Sequence, residues 1–302
     1  MTALGFDTSN YTTSCAWFDG TQYENSGKLL EVKPGELGLR QSNALFQHVK
    51  QLPDILDKLD IPGTISAVGA STRPRAVEGS YMPCFIAGES YAKVLAKTLG
   101  VHFYAFSHQQ GHLAAVLLSA GCMELMDKTF LAWHLSGGTT ELLLVYPKLE
   151  AVRIGGTVDL SAGQLIDRTG QILGLDFPAG KALDQLAGDT VIKPFSVKVS
   201  DMFFSLSGMQ NKTENVYHTS KSKEETAAFA LGCITYAVKK ATLQALQKYG
   251  DLPVVFTGGV ASNSQLRSAF KPMNAVFGSV QYSTDNALGI SVLTYFAENS
   301  NG

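Results

Sequence analysis

The sequence has few cysteines and no long apolar stretch, and both absences exclude classes of protein. Its four cysteines are scattered over 302 residues without a Cys-x-x-Cys pair, so neither a disulfide framework nor a zinc-thiolate site is expected. No apolar run reaches the roughly 18 residues that a membrane span needs. The start, MTALGFDTS, has no basic segment before an apolar one. We therefore expect a cytoplasmic protein with buried thiols and no membrane segment.

Charge is also sparse, with 24 Lys and Arg against 26 Asp and Glu and a net charge of −2. By itself such a chain shows no nucleic-acid surface, so partner proteins would supply much of the grip on any RNA substrate. Two modest basic clusters, Lys212 with Lys221 and Lys223, and Lys239 with Lys240, are interpreted as solvated faces. Hydrophobic residues at 45% and charged residues at 17% are typical of a globular enzyme.

The two halves of the sequence repeat one order of predicted elements. The first half has a hairpin in ALGFDTSNYTTSCAWFDG, followed by a strand at 22–30, a helix at 39–59, a strand at 65–70, a helix at 85–99 and a strand at 101–106. The second half has a hairpin at 129–146, followed by a strand at 149–154, helices at 162–173 and 224–248, a strand at 253–257, a helix at 263–270, a strand at 275–282 and a helix at 286–297.

This repetition predicts an α/β fold of two βββαβαβα lobes. We assign residues 1–106 to the N-terminal lobe and residues 107–302 to the C-terminal lobe, with the last helix, 286–297, able to pack on the first lobe. A small insert at about 176–223 has weak periodicity and belongs to the second lobe.

Paired glycines follow two of the predicted strands. In FTGGVASNSQLR, Gly258 and Gly259 separate a buried strand from a helix that Ser262 or Asn263 can cap. Glycine removes the side chain that would keep a phosphate or sugar from the backbone, and a helix N-terminus favours an anion. The hairpin turn SGGTT has the same character. Taken singly, each pattern also fits an ordinary turn between a strand and the next element.

A histidine pair lies four residues apart in SHQQGHLAA, so His108 and His112 share one face of the predicted helix and can chelate a metal. A zinc peptidase of the HExxH type is disfavoured because Gln109 stands where the general-base Glu would be. Asp285, at the start of the last helix, can supply a third ligand, giving a set that suits iron or zinc. Asp285 could instead serve as the N-cap of that helix.

With these motifs placed, the chain resembles the TsaD family, the tRNA threonylcarbamoyladenosine synthase subunits of the actin-like ATPase (ASKHA) superfamily. The residues that carry the resemblance are, in chain order, GFDTS, HQQGH, LSGGTTEL, AGQLIDRTGQILGLDFPAGKALDQLA, FSLSG, TGGVASNSQLR and STDNA. The resemblance implies a two-lobed actin-like fold that holds a nucleotide between the lobes.

The resemblance also implies a role for individual residues. His108, His112 and Asp285 would hold one divalent metal, iron or zinc, while Asp7 and Ser9 would be catalytic. An adenylate or ATP would be bound by Ser136, Gly137, Gly138, Thr139, Thr140, Asp167, Gly180, Asp184, Gly258, Gly259 and Asn263.

The implied reaction is metal-dependent transfer of a threonylcarbamoyl group from its AMP anhydride to N6 of an adenine in tRNA. The implied partners are proteins that help to bind tRNA and a hetero- or homodimer partner on the first lobe. Asn10 and Tyr11 replace an acidic pair that is usual in the family, which indicates a diverged member. Two alternatives therefore stay open: transfer of a carbamoyl or acyl group to another acceptor, and a non-catalytic nucleotide-binding partner.

Overall fold

The computed structural model describes residues 1–9, 11–32, 39–193, 195–279, 282 and 286–301. The chain forms two compact units, one made of Met1–Met126 with Gln281–Gly302 and the other of Asp127–Val280. The lobe boundary after residue 106 remains a prediction. No helix within the described ranges is both long and apolar enough to cross a bilayer.

The first unit is built on a five-stranded sheet in the order β3-β2-β1-β4-β5. Its strands are β1 (Thr2–Asp7), β2 (Thr12–Phe18), β3 (Tyr23–Leu29), β4 (Ile65–Arg73) and β5 (His102–Ser107). β2 runs antiparallel to β1 and β3, whereas β1, β4 and β5 are parallel. All six residues of β1 are buried, as expected for a central strand covered on both faces.

In the described ranges, the α-helices that accompany this sheet are α1 (Gln41–Leu56), α2 (Phe85–Leu99), α3 (His108–Ser119) and α9 (Leu288–Asn301). The C-terminal helix α9 contacts strands β1, β2, β4 and β5 as well as α3. Its approach to α3 is so close that a Cβ on Gly289 would lie 1.8 Å from the carbonyl oxygen of Gly111. α9 thus holds the start of α3 against the sheet, although the two helices are far apart in sequence.

The second unit repeats this topology. Its sheet has the order β12-β11-β6-β7-β8-β10-β9. The strands are β6 (Phe130–Leu135), β7 (Thr140–Tyr146), β8 (Glu150–Thr157), β9 (Val199–Ser200), β10 (Phe203–Phe204), β11 (Val254–Thr257) and β12 (Val276–Phe277). Because the run β8-β7-β6-β11-β12 matches β3-β2-β1-β4-β5 strand for strand, the predicted duplication is confirmed.

The helices of the second unit are α4 (Ala162–Leu173), α5 (Gly180–Ala187), α6 (Ser207–Ser220), α7 (Lys223–Tyr249) and α8 (Ser264–Phe270). The predicted insert contains α5, α6 and the short strands β9 and β10. The long helix α7 crosses the core, where Thr242 accepts a hydrogen bond from the indole of Trp133 at 2.9 Å. The last predicted strand, 275–282, was too long: the carbonyl of Gly278 accepts from the Arg267 guanidinium at 3.0 Å, beyond the end of β12.

Candidate functional site

In the first unit, polar side chains meet at the end of β1. Asp7 is 1% exposed. One of its carboxylate oxygens accepts from the backbone N–H of Ser9 at 2.8 Å and from the hydroxyl of Ser71 at 3.0 Å. The other oxygen accepts from Nδ1 of His108 at 2.7 Å. Because Nδ1 is committed to Asp7, His108 would bind a metal through Nε2.

His112 follows His108 by one helical turn, and the two imidazole rings lie edge to face with centroids 4.2 Å apart. The start of α3 is fixed by a capping box in which Ser107 and Gln110 bond each other's backbone N–H groups. A defined helix start fixes which residues share a face, so the box places both imidazoles together. The structure thus brings His108 and His112 side by side.

These residues fit a metal in part. A carboxylate that fixes a histidine through Nδ1 is the usual support behind a metal-binding imidazole, and Asp7 supplies it here. The third predicted ligand, Asp285, lies outside the described residues. Within the described part of the chain, no group of three or more His, Cys, Asp or Glu side chains is arranged to hold a metal. The metal therefore remains a proposal that rests on the histidine pair and Asp7.

Ser9, the other residue predicted to be catalytic, follows β1. Its hydroxyl is buried and has no hydrogen-bond partner among the residues that the structure describes. An unsatisfied buried hydroxyl costs about 1–3 kcal/mol. Such a group suits a role in which it bonds a ligand, and it lies two residues from Asp7.

In the second unit, the β6–β7 turn offers backbone groups at the surface. The N–H of Ser136 donates to the carbonyl of Thr139 at 2.9 Å, and the hydroxyl of Ser136 accepts from the N–H of Thr139 at 3.1 Å. A Cβ added to Gly137 or Gly138 would meet no atom within 4 Å. The outer side of the turn is therefore open to a ligand.

The inner side of this turn rests on the start of α4. The hydroxyl of Ser161, the N-cap of α4, donates to the carbonyl of Gly137 at 2.6 Å. Thr140 is buried, and its hydroxyl accepts from the N–H of Ala162 at 2.8 Å. Thr140 thus supports the helix start, and this bond uses one acceptor site of the hydroxyl that the resemblance assigns to phosphate binding, leaving its O–H as a donor.

The second paired-glycine turn follows β11 and lies beside the first. β11 is parallel to β6, with Thr257 opposite His134, so the carboxyl ends of both strands meet at one edge of the sheet. Gly258 has φ +92°, and a Cβ there would lie 2.3 Å from the carbonyl oxygen of Leu135. Gly259 is exposed, with no atom near a Cβ position. Gly258 is required by packing, whereas Gly259 leaves its backbone accessible.

Asn263 and Asp184 are bonded to each other at the start of α8. The side-chain oxygen of Asn263 caps α8 by accepting from the N–H of Leu266 at 2.9 Å, and its amide donates to Asp184 at 2.6 Å. Ser264 donates to Asp184 from its hydroxyl at 2.8 Å and from its backbone N–H at 3.0 Å. The carboxylate predicted to bind ribose thus also caps a helix.

Asp167 and Gly180 lie where α4 meets α5. One oxygen of Asp167 accepts from the N–H of Ala179 at 2.9 Å. A Cβ on Gly180 would meet only the side chain of Ile166, at 4.0 Å, so packing does not require glycine here. Glycine at position 180 instead suits a ligand: without a side chain, an adenine base can lie directly against the backbone.

Together these contacts link every predicted nucleotide-binding element of the second unit. Ser161 joins α4 to the β6–β7 turn, Asp167 joins α4 to the start of α5, and Asp184 joins α5 to α8. The β11–α8 turn then returns to β6 through the close approach of Gly258. We call this closed series of contacts the circuit. It brings residues between 136 and 263 together at one end of the sheet.

Sequence reasoning missed Asp159, which fastens the insert to this circuit. Its carboxylate accepts from the backbone N–H of Leu160 at 2.6 Å and of Leu206 at 2.9 Å, and from the hydroxyls of Ser205 and Ser207. Desolvation opposes ionisation, but these hydrogen bonds outweigh it and hold the pKa of Asp159 well below its usual range. The two serines of FSLSG, Ser205 and Ser207, were the sequence feature that could have indicated a carboxylate partner such as Asp159.

Comparison with known proteins gives the family. A family model described as tRNA N6-adenosine threonylcarbamoyltransferase matches residues 46–292. A protein of that name from Sulfurihydrogenibium sp. (strain YO3AOP1) is 30% identical over 316 residues, which cover 98% of this chain and 90% of the relative. Another, from Oenococcus oeni, is 32% identical over 246 residues, covering 76% and 70%.

Solved structures show the same fold at low sequence identity. HypF in a phosphate- and nucleotide-bound form aligns with a TM-score of 0.65 and 13% identity, over 99% of this chain and 46% of HypF. The (R)-2-hydroxyglutaryl-CoA dehydratase component A of Acidaminococcus fermentans gives 0.59 and 14% over 99% of both chains. A ROK family protein from Streptococcus pneumoniae gives 0.55 and 10% over both whole chains. These likenesses support the actin-like ATPase fold alone.

Proposed function

The chain belongs to the tRNA N6-adenosine threonylcarbamoyltransferase family, a family of transferases, and on that premise we propose that it transfers a threonylcarbamoyl group from threonylcarbamoyl-AMP to N6 of an adenine in tRNA. N6 attacks the carbamoyl carbon, the bond from that carbon to the phosphate oxygen breaks, AMP leaves and N6 loses a proton.

The observation that carries this proposal is the circuit in the second unit. The accessible backbone of Gly137, Gly138 and Gly259 can donate to phosphate oxygens, which stabilises the departing AMP. Gly180 leaves room for adenine. Asp167 and Asp184 each keep acceptor capacity beyond their protein hydrogen bonds and can accept from ribose hydroxyls.

In the first unit we propose that His108 and His112, with Asp285 as a third ligand, hold one iron or zinc ion. When bound, such an ion supplies a Lewis acid that polarises carbonyl or phosphate oxygens. Asp7 orients His108 by accepting from Nδ1. The unpartnered hydroxyl of Ser9 is assigned to a hydrogen bond with the bound substrate.

We further propose that a partner subunit covers an apolar strip on the first unit. Phe46 and Val49 on α1 and Tyr91 and Val94 on α2 are exposed, with Phe46 at 67% and Val94 at 68%. The Tyr91 hydroxyl donates to the carbonyl of Val49 at 3.2 Å. Phe46 lies one turn from Val49 on α1 and Val94 one turn from Tyr91 on α2, so the four side chains belong to one surface. A homodimer or heterodimer through this strip would bury it.

Incubation of the purified protein with threonylcarbamoyl-AMP and unmodified tRNA tests the proposal. Released AMP and modified nucleoside are quantified by mass spectrometry, with and without added partner proteins. We expect both products from the wild type and neither from His108→Ala. His102→Ala is the matched control, because His102 is an exposed histidine bonded only to Glu298 in the described chain, and it should behave as the wild type.

The same assay separates the alternatives. AMP released without modified tRNA, when a small-molecule amine is present as acceptor, would favour transfer to another acceptor. Adenylate bound at equilibrium without any AMP release, even with partner proteins, would indicate a non-catalytic nucleotide-binding protein and refute the transferase.

A further inference from the structure

Where the insert of the second unit meets α7, two lysines flank a pair of aromatic residues. The Lys212 ammonium lies 3.8 Å from the centroid of the Phe195 ring. Next to Phe195, the hydroxyl of Ser196 lies 2.8 Å from that of Tyr236, and the Lys240 ammonium lies 5.7 Å from the Tyr236 ring centroid. We name these five residues the lysine–aromatic row.

The row is held in place by contacts beneath it. Residues 195–198 have no regular secondary structure, but Val197 is buried in the core at 2% exposure. Cys233 on α7 lies below Phe195: burial raises the pKa of its thiol to about 11, opposed by a hydrogen bond from the Phe195 backbone and by the charge of Lys212. The segment is therefore fixed on α6 and α7, and the row is preformed.

In the part of the chain that the structure describes, the two lysines of the row have no ion-pair partner. Among the residues that the structure describes, no carboxylate lies within 4 Å of the ammonium group of Lys212 or Lys240. Two other lysines of this unit are occupied by the protein: Lys248 pairs with Asp201 at 3.1 Å, and Lys223 donates to the carbonyl of Leu173 at 2.8 Å. Lys212 and Lys240 are therefore among the cations of this unit that are available to an external anion.

Cations that flank partly exposed aromatic rings match the chemistry of an unpaired nucleic-acid strand. Lysines bind phosphates, and aromatic faces stack on bases of any sequence. Phe195 is 42% exposed, which leaves ring surface for a base. We propose that the lysine–aromatic row binds the phosphate backbone and an unpaired base of the RNA substrate, a proposal that rests on the tRNA modification assigned above.

Measuring the binding of a tRNA transcript to the full-length protein at several salt concentrations tests this surface. Each lysine that contacts a phosphate contributes about 0.7 to 0.9 to the slope of log K against log salt. The Lys212→Gln, Lys240→Gln double variant should therefore lose roughly 1.5 from the slope. Phe195→Leu should weaken binding roughly 5- to 150-fold, as expected for one lost base stack. Lys128→Gln, which removes another exposed lysine of this unit, should change the slope by less than half as much as the double variant.

Adenylate binding and thermal unfolding of each variant report whether the fold is intact. If Phe195→Leu unfolds, Phe195→Tyr replaces it in the test: this variant keeps a stacking ring and should bind RNA with the affinity of the wild type. An unchanged slope in the folded double variant would refute the proposal. So would poly-glutamate binding that equals RNA binding and falls equally in the double variant, because the row would then fit an acidic protein. If RNA binding depends on the row but no tRNA is modified, the RNA-binding proposal is supported and the proposed transferase function is refuted.

Discussion

Replacing Asp7 with Asn should weaken metal binding by changing which nitrogen of His108 carries the proton. In the wild type, one oxygen of Asp7 accepts from Ser9 and Ser71 and the other accepts from Nδ1–H of His108. An Asn keeps an oxygen toward the Ser9 N–H, which can only donate, and so turns its NH₂ toward His108. Nδ1 must then accept, and the proton moves to Nε2, the nitrogen assigned to the metal.

The expected loss follows from the role of Asp7. Removing the carboxylate behind a metal-binding histidine typically lowers metal affinity 10- to 100-fold, which is about 1.4–2.7 kcal/mol. Because Asp7 is 1% exposed and its carboxylate accepts from Ser9, Ser71 and His108, we expect the free energy of unfolding to fall as well, by about 1–3 kcal/mol.

Zn²⁺ titration against a competing chelator measures the affinity, and urea unfolding measures the stability. Ser71→Ala is the matched control: it removes a hydrogen bond from the same carboxylate and leaves the His108 tautomer unchanged, so it should lower stability by about 1 kcal/mol without a comparable loss of Zn²⁺ affinity. Equal Zn²⁺ affinity in Asp7→Asn and the wild type, or an equal loss in Ser71→Ala, would refute the tautomer argument.

Three further predictions follow from the second unit. Gly180→Ala should leave stability unchanged or raise it by up to about 1 kcal/mol, yet it should weaken adenylate binding. Gly258→Ala should instead destabilise the fold, because φ is +92° and a Cβ would lie too close to Leu135. Calorimetric titration measures the binding of each variant, and thermal unfolding measures its stability. Asn263→Ala should lower stability by about 1–2 kcal/mol through loss of the α8 cap, measured by urea unfolding. Since the folded pKa of Asp159 is depressed, its carboxylate stabilises the fold above the unfolded pKa of about 3.9, and this contribution disappears as pH falls toward the folded pKa. The stability advantage of the wild type over Asp159→Asn should therefore be largest near neutral pH and shrink below about pH 4, and a pH-independent difference would contradict the assignment.

Much of the fold was predictable because local patterns repeat. Helices α2 (85–99) and α4 (162–173) follow the sequence prediction to the residue, since apolar periodicity and terminal residues act within one element. The predicted strand at 275–282 shows the limit of such patterns. Its apolar alternation is local, but the carbonyl of Gly278 is taken by Arg267, a side chain on another element.

The candidate site was predictable as separate pieces. The glycine turns, the histidine pair and the acids were all visible as motifs, yet their hydrogen-bond partners were not. Asp184 caps α8 by accepting from the N–H of Ser264, 80 residues away, and a carboxylate on a helix surface gives no local sign of that. Asp159 escaped notice for the same reason, since its serine partners lie in the insert.

The sequence by itself determined the duplicated order of strands and helices, because hydrophobic period and turn residues act over a few neighbours. It also determined where glycine leaves backbone exposed and that His108 and His112 share a helix face. Only the tertiary structure decided that Asp7 fixes the Nδ1 of His108. It also decided that Lys212 lies over the Phe195 ring, beside the contact of Ser196 with Tyr236 on α7. Hydrogen bonds and charge contacts depend on distances in space, and residues far apart along the chain come within 3 to 4 Å only once the sheets and helices have packed.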